Sequence, residues 1–539
     1  MECDGSVQVI SKELIKPSSS TPHHLRNIKL SLLDQLSPPI YMPAIFFYEA
    51  DELRGLTSST NRSQLCRNLK QSLSNTLTLF YPIAGKIDRE KFTVYCDDTG
   101  VEFIEARSNA RLHDIIQEPG LDRFQKYLPV GIHEGIHIGE AGTLLMVQIN
   151  FFECGGVAIG VCMSHLVADS SSLFEFMNAW AATCRGETPK SVPEFGVMAR
   201  YFPARDLSYL NISPSSLMGD DKLVTKRFVF DKEKLAALKQ AATGSDIMKD
   251  PTRVEAVSAF ILKCFIENNF VDAKKGLFAA HMVNIRSRAS ISLENAFGMG
   301  CFYGAVEIGH RDRAVPKLHE LASKVRRAIR TIDYEYIRET EREDRYLSDL
   351  GKLFMLQEGE ADAFVFSSLC RYPMYEVEFG WGKPVLAWIT SLQMKHLVIL
   401  MSTRDGDGIE AWINLLPDQA QSLEEQFKLI AGKIDPLNVA VYCDDTSVEF
   451  IKARANARQP DVVQESELDQ FQKYLSVELL EGIHNGEGTY LMVQINFFAC
   501  GGVASGVYMS RLVADASSLF EFMNAWAATC RRTSRCPSS

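Results

Sequence analysis

One long segment occurs twice in this chain. Gly142–Arg185 and Gly488–Arg531 align over 44 positions and differ only at Leu144/Tyr490, Glu153/Ala499, Ile159/Ser505, Cys162/Tyr508, His165/Arg511 and Ser170/Ala516. Ile83–Arg111 also aligns without gaps to Ile430–Arg458. Repeat arrays have periods of roughly 20 to 50 residues, so a single copy of about 100 residues is a duplicated piece of a domain. The copy has no counterpart of residues 1–82 or of the chain that follows Arg185, and it is not expected to rebuild a complete domain.

The duplicated segment has a readable local pattern. "LLMVQINFF" (Leu144–Phe152) and "VAIGVCMS" (Val157–Ser164) are β-rich runs joined through Gly155-Gly156, which predicts a hairpin. Beyond Asp169 the period changes. Leu173, Met177, Trp180 and Cys184 fall on one helical stripe, with Ser172 and Glu175 expected as a capping box. His165 therefore stands where a core strand ends, on the short link into a helix. Arg511 occupies that place in the copy and has no lone pair with which to accept a proton.

Elsewhere the spacing predicts a strand over residues 7–16 and helices over Asn61–Leu79, Val254–Phe270 and Arg313–Asp333. A further strand is expected over Gly276–Ile285. The proline-rich stretch 187–222 reads as a connection between two lobes, so the fold class expected is α/β (α+β). The charge balance, 57 basic against 68 acidic residues, gives a net charge of −11, and no basic stripe offers itself to nucleic acid. No apolar run approaches the roughly 20 residues of a membrane span, and the first residues lack a leader pattern. The thirteen cysteines form no C-x-x-C pair. These features lead us to expect a cytoplasmic protein with reduced thiols, bound neither to membrane nor to nucleic acid.

Three motifs invite chemistry. "HEGIH" (His133–His137) matches the H-E-x-x-H zinc pattern, but Pro129, Gly131, Gly135 and Gly139 argue against the helix that pattern needs, and no metal is expected. Neither a G-x-S-x-G elbow nor a P-loop occurs, which disfavours esterase and nucleotide chemistry. His165-Leu-Val-Ala-Asp169 offers a histidine that can serve as a general base near neutral pH. Taken alone, the pentapeptide also suits a core histidine satisfying a hydrogen bond, with Asp169 as a helix N-cap. "EFGWGKP" (Glu378–Pro384) sets two glycines about Trp381 and predicts a tight, specifically shaped loop.

H-x-x-x-D followed some two hundred residues later by an aromatic D-F-G-W-G-type loop resembles the plant BAHD acyl-CoA-dependent acyltransferases. "ISKELIKPSSSTP" (Ile10–Pro22), "LSLLDQL" (Leu30–Leu36), "YPIAGKI" (Tyr81–Ile87), "VNIRSR" (Val283–Arg288) and "GIEAWINL" (Gly408–Leu415) extend the likeness over about residues 7–429. The flavour is nearest the vinorine-synthase-like branch, which acetylates alkaloid-type alcohols. The resemblance implies two chloramphenicol-acetyltransferase-like lobes about a central channel, residues 1–205 and 206–429, with 430–539 a partial, non-catalytic repeat of 83–185.

It implies further that acyl-CoA, expected to be acetyl-CoA, and a small-molecule alcohol meet at His165, the general base, in a monomer with no bound cofactor or metal. Asp169 would pair with an arginine, Arg286 first and Arg288 second. Ser367 would donate to the developing oxyanion, and Glu378, Phe379, Gly380, Trp381 and Gly382 would form a structural loop. The resemblance assigns no CoA-binding residue here. Several positions depart from the pattern: Glu378 replaces an aspartate, Ser170 a glycine, and Leu369 a tryptophan whose indole N–H helps hold the oxyanion. Leu369 and the interrupted C-terminus support a second reading, a non-catalytic binding protein that keeps the fold.

Overall fold

The computed structural model describes residues 6–49, 59–88, 90–117, 124–130, 143–207, 223–244, 248–268, 276–289, 293–308, 316–343, 345–350, 361–388, 394–433, 448–455, 491–498 and 503–509. The chain divides into two compact units, Met1–Glu424 and Glu425–Ser539.

The first unit is built on two mixed six-stranded sheets. One runs in the order Val7–Ile15, Val101–Ser108, Leu145–Phe152, Val157–Ser164, Tyr41–Tyr48 and Leu386–Trp388. The other runs Cys301–Ile308, Gly276–Asn284, Ala361–Ser368, Leu397–Ser402, Ile409–Leu415 and Val224–Phe230. Every residue of the hairpin strands Leu145–Phe152 and Val157–Ser164 is buried. This explains why they read as unbroken apolar runs instead of alternating ones: both faces of the sheet are covered. Chain order and sheet membership part company at one place. The strand Leu386–Trp388 comes from the second half of the unit but pairs antiparallel with Tyr41–Tyr48 in the first sheet.

The helix Ser170–Cys184 follows the hairpin and buries Leu173, Met177 and Trp180. The Trp180 indole donates to Ser72 Oγ at 3.1 Å, tying it to the helix Ser59–Leu79. The expected capping box at Ser172 and Glu175 is not formed. Asp169 is the N-cap and accepts from the Ser172 N–H, while Ser172 Oγ and the Glu175 carboxylate are drawn to Gly298 and Ser191. Tertiary partners outbid the local reciprocal pair. Among the described residues, no helix is long and apolar enough to cross a membrane.

His281, on Gly276–Asn284, is buried against the edge of Phe366, and its Nε2 meets no partner among the described residues. Burial pulls its pKa down to about 4. The unfolded imidazole titrates near 6.5, so between those values the unfolded state binds more protons and acid favours unfolding. Stability is expected to fall by up to about 3 kcal/mol as pH drops from about 6.5 to 4. Urea midpoints at pH 7 and pH 5 should therefore differ more for wild type than for His281→Phe; equal differences would contradict the assignment.

In the second unit, Val448–Ala455 pairs parallel with Leu491–Phe498, which pairs antiparallel with Val503–Met509. The registers Glu449↔Met492 and Leu491↔Met509 reproduce Glu102↔Met146 and Leu145↔Met163 of the first copy. Arg511 and the HEGIH segment lie outside the described residues.

Candidate active site

His165 follows the last residue of the strand Val157–Ser164, and its backbone N–H donates to Ile40 O at 2.8 Å. Its Nδ1 lies 2.8 Å from the Ala168 carbonyl oxygen. A carbonyl only accepts, so Nδ1 carries the proton and the neutral ring keeps its lone pair on Nε2. Burial lowers the pKa of His165, a fall that the Ala168 hydrogen bond and the Asp169 charge partly offset. The basic form is thus the resting form at neutral pH.

The histidine lines a cavity of about 130 Å³ that lies between the two sheets, together with Ser367, Leu369, Tyr372, Cys301 and Ile399. Much of the remaining wall is apolar, including Met42, Leu173 and Met299. Cross-strand registers run Ser367↔Ile399, Ile399↔Trp412 and Trp412↔Arg227. Directly paired residues share a face, so this row leads from the His165 cavity to a larger cavity of about 640 Å³ lined by Trp412 and Arg227. Three strand spacings place the two ends of the row about 15 Å apart.

Asp169 also borders the cavity, and its carboxylate is tied into a buried cluster. Arg286 Nη1 and Nη2 donate to its two carboxylate oxygens at 2.7 and 3.1 Å, and the Gly300 N–H donates at 3.0 Å. Burial opposes the charged carboxylate, but the guanidinium and these donors outweigh it and hold the carboxyl below its usual range. A Cβ on Gly300 would stand 2.5 Å from Arg286 Nη1, which explains glycine there. Arg288 goes elsewhere: its Nη1 donates to the carbonyls of Ile329 and Ile332 at the end of the helix Leu318–Thr331. That is a favourable place for a cation.

The loop Glu378–Gly382 packs on the first sheet and its helix. Phe379 meets the Trp180 edge at 4.9 Å and stacks on Trp381 at 5.4 Å, and Tyr48 donates to Val377 O at 2.8 Å. The Glu378 carboxylate accepts the N–H groups of Gly380 and Gly382, and Arg185 donates to the Glu378 carbonyl. Gly380 and Gly382 have φ of +107° and +106°, a backbone that glycine adopts without cost.

Residue reasoning passed over Asp34, Asn284 and Tyr372. Asp34 accepts the Met299 N–H at 2.8 Å, fixing the loop that carries Gly298 and Gly300, and burial raises its pKa to about 6. The S-x-x-D spacing of Ser31 and Asp34 is the local signal for it.

A model of the Transferase family matches residues 5–430 and, separately, 425–538. The chain belongs to this family, the BAHD acyltransferases. Stemmadenine O-acetyltransferase of Catharanthus roseus is 39% identical over 429 residues, covering 78% of this chain and 97% of that protein. Vinorine synthase of Rauvolfia serpentina is 38% identical over 426 residues, covering 77% and 96%. The crystal structure of vinorine synthase superposes with a TM-score of 0.66 at 36% identity, covering 77% of this chain and 96% of that one. This BAHD chain is an acyltransferase, with the mixed α/β fold of its family. The separate match to residues 425–538 falls on the repeat.

Proposed function

We propose that the chain transfers an acetyl group from acetyl-CoA to a hydroxyl of a plant specialised metabolite, in the His165 cavity. One observation carries the mechanism: the Ala168 carbonyl pins the His165 proton on Nδ1, leaving Nε2 free. Nε2 takes the proton of the acceptor hydroxyl as its oxygen attacks the thioester carbon. The carbonyl π pair moves onto oxygen, and Ser367, on the cavity wall, donates to it. Collapse breaks the C–S bond. The thiolate recovers the proton from His165 and leaves as free CoA, so no acyl-enzyme forms.

Arg286 holds Asp169, and through it the short His165–Asp169 link, in place. The apolar wall suits a largely apolar acceptor scaffold. The names of the relatives, acetyltransferases for stemmadenine and for several limonoids, favour an alkaloid or terpenoid alcohol. Residues 1–205 and 206–429 are read as the two lobes. The copy at 430–539 is read as non-catalytic, because Arg511 cannot act as a base.

Mass-spectrometric screening of acyl-CoA donors against alkaloid, terpenoid and phenolic alcohols tests the assignment. An acetyl ester of at least one panel member is expected, and transfer confined to long-chain or aromatic donors would contradict the acetyl assignment. The pH dependence has a definite sign. Neutral His165 is the working form and burial lowers its pKa, so kcat/KM should be flat above about 6.5, the ordinary imidazole value, and fall only below it. An acid limb centred above neutrality would contradict the tautomer and burial argument.

A further inference from the structure

We infer that Tyr372 supplies a hydrogen bond to the oxyanion that forms in the His165 cavity, with Asn284 as the residue that aims it. The inference rests on the acyl-transfer reading and adds a catalytic group to it.

The orientation follows from a chain of forced donors. The backbone N–H of Arg286 donates to Asn284 Oδ1 at 3.0 Å, and Arg286 Nη1 approaches the same oxygen at 3.5 Å. Both groups are donors only, so the atom they face is the amide oxygen, and the amide nitrogen is fixed on the other side. There Asn284 Nδ2 donates to the Tyr372 hydroxyl oxygen at 3.0 Å. The hydroxyl has one proton and has just accepted one bond. Its own proton cannot point at Asn284, and among the described residues no acceptor is assigned to it.

The ring is held as firmly as the hydroxyl. Tyr372 stacks on Phe174 at 5.7 Å and 20°, and its N–H donates to Leu369 O at 3.0 Å in a turn off the strand that carries Ser367. Tyr372, Ser367 and His165 all line the one cavity. At the neighbouring position Leu369 contributes no polar atom, so Tyr372 adds a preorganised hydroxyl donor to a wall whose other hydroxyls belong to serines. As the acceptor oxygen bonds to the thioester carbon and its proton passes to His165 Nε2, the π pair on the carbonyl oxygen meets the Tyr372 O–H. When the C–S bond breaks, the pair returns to the new ester carbonyl and the hydrogen bond relaxes.

Steady-state kinetics of the full chain with acetyl-CoA and an accepted alcohol test this, reading free thiol. Tyr372→Phe keeps the ring and its stacking, and is expected to lower kcat by about 10²-fold with both KM values little changed, the mark of a bond made only in the transition state. Asn284→Asp presents acceptors alone, so the tyrosine proton turns back toward it. This variant should reproduce the loss although Tyr372 is intact. Wild-type turnover that depends on His165, measured alongside, tests the parent reading separately. The inference is overturned by a Tyr372→Phe kcat close to wild type, by a loss confined to the KM for the alcohol, or by an Asn284→Asp variant with wild-type kcat.

Discussion

Replacing His165 with alanine is expected to lower kcat by roughly 10²–10⁴-fold, the contribution of a positioned general base. The effect should lie in kcat. The side chain stands on one wall of a mostly apolar cavity, so its removal leaves most of the surface that holds both substrates. A histidine kept only to satisfy a hydrogen bond would behave differently, because the contact of its ring with the Ala168 carbonyl is local, three residues on. Its loss would then register in stability and leave turnover alone. Thiol release from acetyl-CoA, followed with a saturating alcohol, separates the two, and unchanged release in His165→Ala would refute the base.

The largest effect on stability is expected at Asp169. Both it and Arg286 are nearly inaccessible, with side chains 5% and 6% exposed. Asp169→Ala strands the guanidinium among the carbonyls of Ala296 and Gly298 and the Ser172 hydroxyl, none of which carries a charge. Removing one partner of a buried pair costs roughly 3–5 kcal/mol. Loss of the N-cap on Ser170–Cys184 adds about 1 kcal/mol. Asp169→Asn keeps an oxygen for the Ser172 N–H while removing the charge, and should fall between. The Asp169 carboxyl is held below its usual range, so the pair contributes fully above about pH 4 and is lost only as pH falls through the lowered value. Urea denaturation at pH 7 therefore sees the full effect, and a loss below about 1 kcal/mol would mean that the pair is not what joins these elements.

Much of this arrangement was legible in the residues. The hairpin and its helix announce themselves through two apolar runs, a Gly-Gly turn and a change of period at Asp169. The H-x-x-x-D spacing puts His165 at the strand end, where one carbonyl can fix its tautomer. The cap departs from its local pattern for a physical reason: Ser172 and Glu175 fit the capping-box spacing, but each finds a partner in the folded chain, Gly298 and Ser191, that no local pattern encodes. Leu386–Trp388 is three residues long, too short to show a period, and its place beside Tyr41–Tyr48 is decided by long-range pairing. Tyr372 carries no local signal, because its proposed role depends on which way an amide 88 residues away is turned.

The repeat shows the same contrast between local and distant information. Its strands carry enough local pattern to recover the registers of the first copy, at Glu449↔Met492 and Leu491↔Met509. The proposed base is a matter of one side chain, and the copy has Arg511 in its place.

The central claim is that acyl transfer takes place in the His165 cavity. It is tested most directly by incubating the full chain with acetyl-CoA and the alcohol panel while quantifying free CoA and acetylated alcohol by mass spectrometry. Free CoA and ester should appear in equal amounts, and both should vanish in His165→Ala. CoA that binds to the chain but never releases its thiol, with no ester formed from any alcohol, would contradict the account and mark the protein as a binder that has kept the fold.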